Sequence, residues 1–177
     1  LEDAEAVAKT LGIRYDILPI VDAVSCFENM LAPMFKGLDS DVTEENLQAR
    51  LRGVLLMALS NKFGDLLLST GNKSETAVGY STLYGDMCGG YAPINDIYKT
   101  DAYALARWRN AHHPRWIKNE VRKIMPDRLI TKAPTAELRP NQKDEDSLPP
   151  YKTLDAILKH FIENDEGVDE VVAAGFD

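Results

Sequence analysis

The sequence predicts an α/β fold, a parallel sheet with helices on both faces, and three observations carry that expectation. Amphipathic helical stretches alternate with short apolar runs of strand length. One such run, LLLS at 66–69, passes directly into a polar turn and a new helix start. The segment after it, TAVGYSTLYGDMCGGYAP, holds four of the chain's eleven glycines. With 177 residues, 45% of them apolar and 27% charged, the chain fits one domain able to remove about 70% of its extended-chain surface from water.

The opening LEDAEAVAKTLG places Leu1, Ala4, Val7, Ala8 and Leu11 on one helical face, with Gly12 as the stop. The chain thus begins inside an element, and a piece of something longer is expected. YDILPI reads as a short buried strand with Pro19 near its end, and VSCFENMLAPMF (24–35) as a helix interrupted or closed by Pro33. After the polar KGLDSD, Asp41 or Thr43 followed by Glu44 and Glu45 predicts a helix start, since acids in a first turn complement the helix dipole. Leu47, Leu51, Val54, Leu55, Ala58, Leu59 and Phe63 keep helical spacing until Gly64 closes the element.

A strand over 65–69 follows, then a tight turn through Gly71, then a helix with Ser74 as expected N-cap. ALARWRN belongs to a helix starting near Thr100, and PRWIKNEVRKIM to another with Pro114 in its first turn. Residues 131–150, TKAPTAELRPNQKDEDSLPP, are polar, rich in proline and too long for an idle connection, so a functional lid or a disordered segment is expected. A last amphipathic helix carries Leu154, Ile157, Leu158, Phe161 and Ile162 on one face, and a short DEVVAAGF segment ends the chain. No internal repeat is present.

The formal charge of −8 argues against a nucleic-acid partner, because phosphate-backbone binding needs a clustered basic face. Cys26 and Cys88 lack zinc-like spacing and fit a reducing compartment. No apolar run reaches membrane length and no signal pattern stands at Leu1, so a soluble, cytoplasmic protein without a membrane partner is expected.

In an open parallel sheet, ligands bind beyond the carboxyl ends of the strands, where N–H groups and helix N-termini face a cavity. LLLSTGNKSE has that form, with Thr70 at the strand tip and Glu75 in the next first turn. Either these residues only cap and satisfy backbone groups, or they face a ligand. Asn46 and Arg50, one helical turn apart beside the leucine stripe, are either solvated polar residues or holders of a phosphate or carboxylate. Lys99, just before a helix start, can reach a phosphate as a point charge, and Asp86 in YGD forms a turn or touches a ligand. Nothing near Cys88 supplies a base, which speaks against a nucleophile there, and a metal site at His112 and His113 has no better support.

Longer stretches carry more than spacing. STGNKSE, GYSTLYGD and AELRPNQKDEDSLPPY, within a match over nearly the whole chain, resemble the synthetase domain of NAD synthetases of the glutamine-dependent branch. The resemblance implies an adenine-nucleotide alpha-hydrolase-like fold of the N-type ATP pyrophosphatases, truncated at its N-terminus. It implies that ATP and Mg2+ activate the nicotinate carboxylate of deamido-NAD as an acyl adenylate, which ammonia derived from glutamine converts to NAD. By position, Thr70, Lys99 and Thr135 resemble ATP contacts, and Asn46, Arg50, Glu75 and Asp86 deamido-NAD contacts. Glu75 also resembles a magnesium ligand of ammonia-dependent relatives.

The resemblance further implies a homodimer with the helix that holds Asn46 and Arg50 near its two-fold interface, and a mobile loop at 131–150 that closes over substrates. Two departures stand out: no Ser-Gly-Gly-x-Asp-Ser run occurs, and neither a glutaminase domain nor a basic C-terminal tail is present. These residues alone are therefore expected to be inactive. A non-catalytic nucleotide-binding or dimerisation module, or a related amidoligase with another substrate, are the competing expectations.

Overall fold

The structure, a computed structural model, describes residues 1–117 and 121–176. Helix α1 (Glu2–Leu11) ends as predicted at Gly12, whose φ of 66° is the left-handed conformation that glycine adopts without steric cost. Helix α2 (Val21–Leu31) stops before Pro33 and packs on α3 (Val42–Phe63). The start of α3 is fixed by a capping box: Thr43 N–H donates to Asp41 Oδ1 at 2.7 Å and Asp41 N–H to Glu44 Oε2 at 2.8 Å. Both carboxyls are held below their ordinary pKa, Asp41 chiefly by its bond from Thr43 and Glu44 by its bond from Asp41.

Of the predicted stripe on α3 only Leu51 is buried, flanked by the buried Ala49 and Gly53, whereas Val54, Leu59 and Phe63 of the stripe, with Leu56 and Met57 beside it, are exposed. Ala49 and Gly53 let the 82–88 turn lie directly on the helix. A Cβ at Gly53 would stand 2.9 Å from Tyr84 O and 3.1 Å from Cys88 Sγ. Gly53→Ala is accordingly expected to cost about 1–3 kcal/mol through overpacking, read as a lower denaturation midpoint with an unchanged slope.

The short α4 (Lys73–Ala77), α5 (Lys99–Ala111) and α7 (Tyr151–Ile162) pack on one another, with α6 (Asp127–Thr131) against α5 and α8 (Val168–Ala173) against α7. Their shared core is Tyr98, Tyr151, Leu154 and Leu158, covered by Leu148. Leu154 and Leu158 lie in this layer because α7 presents the predicted apolar face, although Phe161 and Ile162 at its end remain exposed.

Three sequence expectations are corrected. The parallel sheet is not formed among the described residues, where the only pairing is an isolated parallel bridge between Leu68 and Tyr91. Two hydrogen bonds close it, Ser69 N–H to Tyr91 O at 2.9 Å and Gly90 N–H to Leu67 O at 2.8 Å. Pro93 has no N–H to continue the ladder, and Leu66 and Leu68 are left exposed. The 15–20 segment is likewise unpaired, with Ile17 and Leu18 exposed.

The helix expected over 114–125 is a single turn at Pro114–Ile117 in its first part, while 118–120 lie outside the described residues. Beyond them α5 replaces helical bonding. Asn110 Oδ1 accepts from the N–H groups of Ile124 and Met125, both at 3.0 Å, and Arg109 donates to the carbonyls of Val121 and Arg122. Finally, the cap of α4 is Asn72 instead of Ser74, which is fully buried and bonded elsewhere.

Candidate functional site

The chain leaves the Leu68–Tyr91 bridge at Ser69, whose hydroxyl donates to Asp86 O at 3.3 Å, and reaches the exposed Thr70. Asn72 and Glu75 then close a second capping box, Glu75 N–H to Asn72 Oδ1 at 3.0 Å and Asn72 N–H to Glu75 Oε2 at 3.2 Å. Gly71 does not need a left-handed φ. Apart from the flanking Thr70 and Asn72, a Cβ there would meet only Thr76 Oγ1, at 3.9 Å, so there is room for one at Gly71.

Glu75 is joined to Lys99 at the start of α5, Nζ to Oε1 at 2.7 Å, with both side chains about four-fifths buried. The same ammonium lies 5.2 Å from the centre of the Tyr151 ring. Tyr151 in turn donates to Asp144 Oδ2 at 2.8 Å, and Tyr80 donates to Asp144 Oδ1 at 3.2 Å. Asp144 is 3% exposed and belongs to the 131–150 segment, where its N–H bonds Pro134 O at 3.0 Å, next to Thr135. Burial, reinforced by Asp144, pushes the Tyr80 phenol up to about 12, and burial with the Asp144 bond pushes Tyr151 up as well. Both phenols are therefore protonated donors at neutral pH.

The 131–150 segment is docked on α3. Gln48 donates to Leu138 O at 3.3 Å, Gln142 to Glu45 Oε2 at 3.2 Å, and Arg139 pairs with Glu45 at 3.4 Å. Thr135 accepts from Glu137 N–H at 3.1 Å.

Asn46, Arg50 and Asp86 form a separate group around the 82–86 turn. Thr82 Oγ1 donates to Asn46 Oδ1 at 2.8 Å, Arg50 Nε to Leu83 O at 3.2 Å, and Thr82 N–H to Asp86 Oδ1 at 2.6 Å. The structure thus brings Glu75 and Lys99 together, and Asn46, Arg50 and Asp86 together, with the 76–81 stretch between the groups. Asp144, Tyr151 and Asp155 did not stand out from the sequence. A signal for Asp155 was there: it shares the apolar face of α7 with Tyr151, Leu154 and Leu158, an unusual place for a carboxylate.

Glu75 Oε1 is paired with the Lys99 ammonium and Oε2 accepts from Asn72 N–H, and the described residues hold no group of three or more His, Cys, Asp or Glu able to bind a metal, so a magnesium ion there would rest on Glu75 and on substrate phosphates. Two shallow cavities lie elsewhere, about 310 Å³ between α2 and α3 and about 320 Å³ beside α5 at Leu105, Trp108 and Met125. Cys88 packs under Gly53, consistent with a structural thiol. Among the described residues, no helix is long and apolar enough to cross a membrane.

Solved structures of similar architecture are synthetases. The glutamine-dependent NAD+ synthetase of Acinetobacter baumannii in complex with ADP aligns with a TM-score of 0.67 at 47% identity, over 99% of this chain and 30% of that one. The NH3-dependent NAD synthetase of Campylobacter jejuni aligns at 0.68 and 27% identity, over 99% and 60%, and the NMN synthetase of Francisella tularensis at 0.74 and 26%, over 94% and 61%. The architecture is therefore one shared with NAD and NMN synthetases. The family profile described as NAD synthase matches residues 1–177, and the chain belongs to that family. It is 55% identical over its whole length to the glutamine-dependent NAD(+) synthetase of Rhodobacter capsulatus and 52% identical to that of Thermotoga maritima. It spans 32% and 30% of those two proteins, about a third of their length.

Proposed function

We propose that this chain forms the nucleotide and dinucleotide side of the synthetase domain of a glutamine-dependent NAD synthetase, an N-type ATP pyrophosphatase fold working as a cytoplasmic homodimer. The observation that carries the reading is the Lys99–Glu75 pair at the exit from the Leu68–Tyr91 bridge, inside a chain matched end to end by the family. A free carboxylate is a poor electrophile. In the proposed reaction an oxygen of the nicotinate carboxylate of deamido-NAD attacks the α-phosphorus of ATP, pyrophosphate leaves, and ammonia then attacks the acyl carbon with AMP as leaving group.

In this reading Thr70 offers a hydroxyl beside the space kept by Gly71, Lys99 an ammonium fixed in direction by Glu75 and the Tyr151 ring, and Thr135 a hydroxyl from the docked loop. Asn46, Arg50, Asp86 and Glu75 address deamido-NAD, the exposed Arg50 guanidinium suiting a phosphate or carboxylate. The 131–150 loop opens and closes by breaking the bonds of Gln48, Glu45 and the two tyrosines. Glu75, with the phosphates of ATP, would hold magnesium, which would neutralise phosphate charge there.

The test is a coupled assay with the intact protein and, separately, with these 177 residues, given ATP, deamido-NAD, ammonia and magnesium. The intact protein is expected to release pyrophosphate only when deamido-NAD is present, and to form NAD. The 177 residues alone are expected to form none, because they hold no Ser-Gly-Gly-x-Asp-Ser cradle of backbone donors for the triphosphate. Pyrophosphate release indifferent to deamido-NAD, or none at all, would overturn the reading.

A further inference from the structure

Helix α5 begins without a cap of its own. Its N-cap residue Tyr98 makes no side-chain capping bond, so the first N–H groups of the helix need partners from elsewhere. Both are found across the helix layer. Lys99 N–H donates to Ser74 Oγ at 2.8 Å, and Thr100 N–H and Oγ1 donate to Asp155 Oδ2 at 2.8 and 2.7 Å. The Ser74 hydroxyl in turn donates to Asp155 Oδ1. Ser74 is 0% and Asp155 2% exposed.

A carboxylate so buried, with no ion pair to it among the described residues, is an expensive group to keep in a core. Three donors and the positive end of α5 compensate it, and together they lock α4, α5 and α7 into one arrangement. What that arrangement fixes is the approach of two neighbours. Ser74 precedes Glu75 and Lys99 precedes Thr100, so the same lock that joins Ser74 to the Lys99 backbone sets the 2.7 Å contact of Lys99 Nζ with Glu75.

We infer that Asp155, acting through Ser74 and Thr100, is the residue that positions Lys99, and that it does so without touching substrate. The inference rests on the reading of Lys99 as an ATP contact, but the lock itself is measurable without any substrate.

The experiment uses the intact protein with Asp155→Asn, Ser74→Ala, Thr100→Val, Lys99→Ala and the Lys99→Ala/Asp155→Asn pair. Asp155→Asn and Ser74→Ala are expected to raise KM for ATP about 10-fold and KM for deamido-NAD by less, under about 3-fold, because Glu75 keeps its capping box with Asn72, and Asp155→Asn to cause no further rise in KM for ATP once Lys99 is alanine. Thr100→Val, which removes one of the three bonds to Asp155, is expected to shift KM for ATP by less than about 3-fold. Should Asp155→Asn fail to fold, the Ser74→Ala/Lys99→Ala pair provides the same cycle.

Amide exchange at Lys99 and Thr100 without substrate is expected to quicken at least about 10-fold in the Asp155 or Ser74 variant. Unchanged exchange, equal shifts of both KM values, or an undiminished effect in the Lys99→Ala background would each overturn the inference. A wild-type protein that makes no NAD while exchange still quickens would instead sink the functional reading and leave the lock standing.

Discussion

Lys99→Ala in the intact protein is expected to lower kcat/KM for ATP by about 10²–10³-fold, the roughly 2.7–4 kcal/mol typical of removing one fixed donor from a developing negative charge. The size follows from how little freedom the ammonium has. Glu75 holds it at 2.7 Å, the Tyr151 ring faces it at 5.2 Å, and the side chain is 20% exposed, so water screens it poorly. The fold should survive the change, because the Lys99 backbone bond to Ser74 and the core of Tyr98, Tyr151, Leu154 and Leu158 remain. Glu75→Gln separates the contributions, since glutamine can keep the capping box with Asn72 while losing the ion pair. Steady-state kinetics with each substrate varied would check it. An alanine variant within a few-fold of wild type would remove Lys99 from the ATP site.

The second large effect is expected at Gly89. A Cβ there would stand 2.6 Å from Ser69 N, 3.1 Å from Leu67 O and 3.2 Å from the Leu68 carbonyl carbon, all backbone atoms that cannot swing aside. Gly89→Ala is expected to destabilise by about 3 kcal/mol, a fall in Tm of roughly 6–12 °C, and to pull apart the bridge from which Thr70 emerges. Gly71→Ala gives the contrast. Its backbone is not left-handed and its nearest neighbour is 3.9 Å away, so stability should be unchanged or slightly raised while a methyl group enters the space beside Thr70 and weakens ATP binding. Thermal unfolding and nucleotide titration of the two variants separate the effects. Equal Tm values for Gly89→Ala and wild type would show that the bridge is not packed as described.

The helices were legible because their signals are local. Gly12 and Gly64, the Asp41–Glu44 box and the 3.6-residue spacing of α3 and α7 each act within a few residues of the element they define. The strands were not, because a strand exists only when distant chain pairs with it, and within the described residues Leu68 finds a single partner residue in Tyr91. The α4 cap was misplaced for a related reason. Asn72 and Ser74 are equally good caps by type, and the choice was made by Asp155, 81 residues beyond Ser74, which takes the serine hydroxyl for itself.

The candidate site divides the same way. Thr70, Glu75 and Lys99 were read from a strand-to-turn-to-helix outline and a family resemblance, and the pairing of Glu75 with Lys99 is a geometric fact that neither supplied. Tyr80, Asp144 and Tyr151 could not be joined from the sequence, since their bonds span up to 64 residues and depend on where the 131–150 segment settles. Asn46 and Arg50 were read as one polar face, and they are one, but that face holds the carbonyl of Leu83 and the hydroxyl of Thr82 before it meets any ligand.

Everything turns on whether the triphosphate lies at the exit from Ser69. A crystal structure of the intact protein with a non-hydrolysable ATP analogue and deamido-NAD decides this directly. The account requires phosphate oxygens within hydrogen-bond distance of the Thr70 hydroxyl and the Lys99 ammonium, with Glu75 still beside that lysine. A nucleotide bound in the α5 cavity or on the exposed half of α3, with Thr70 and Lys99 untouched, would contradict it.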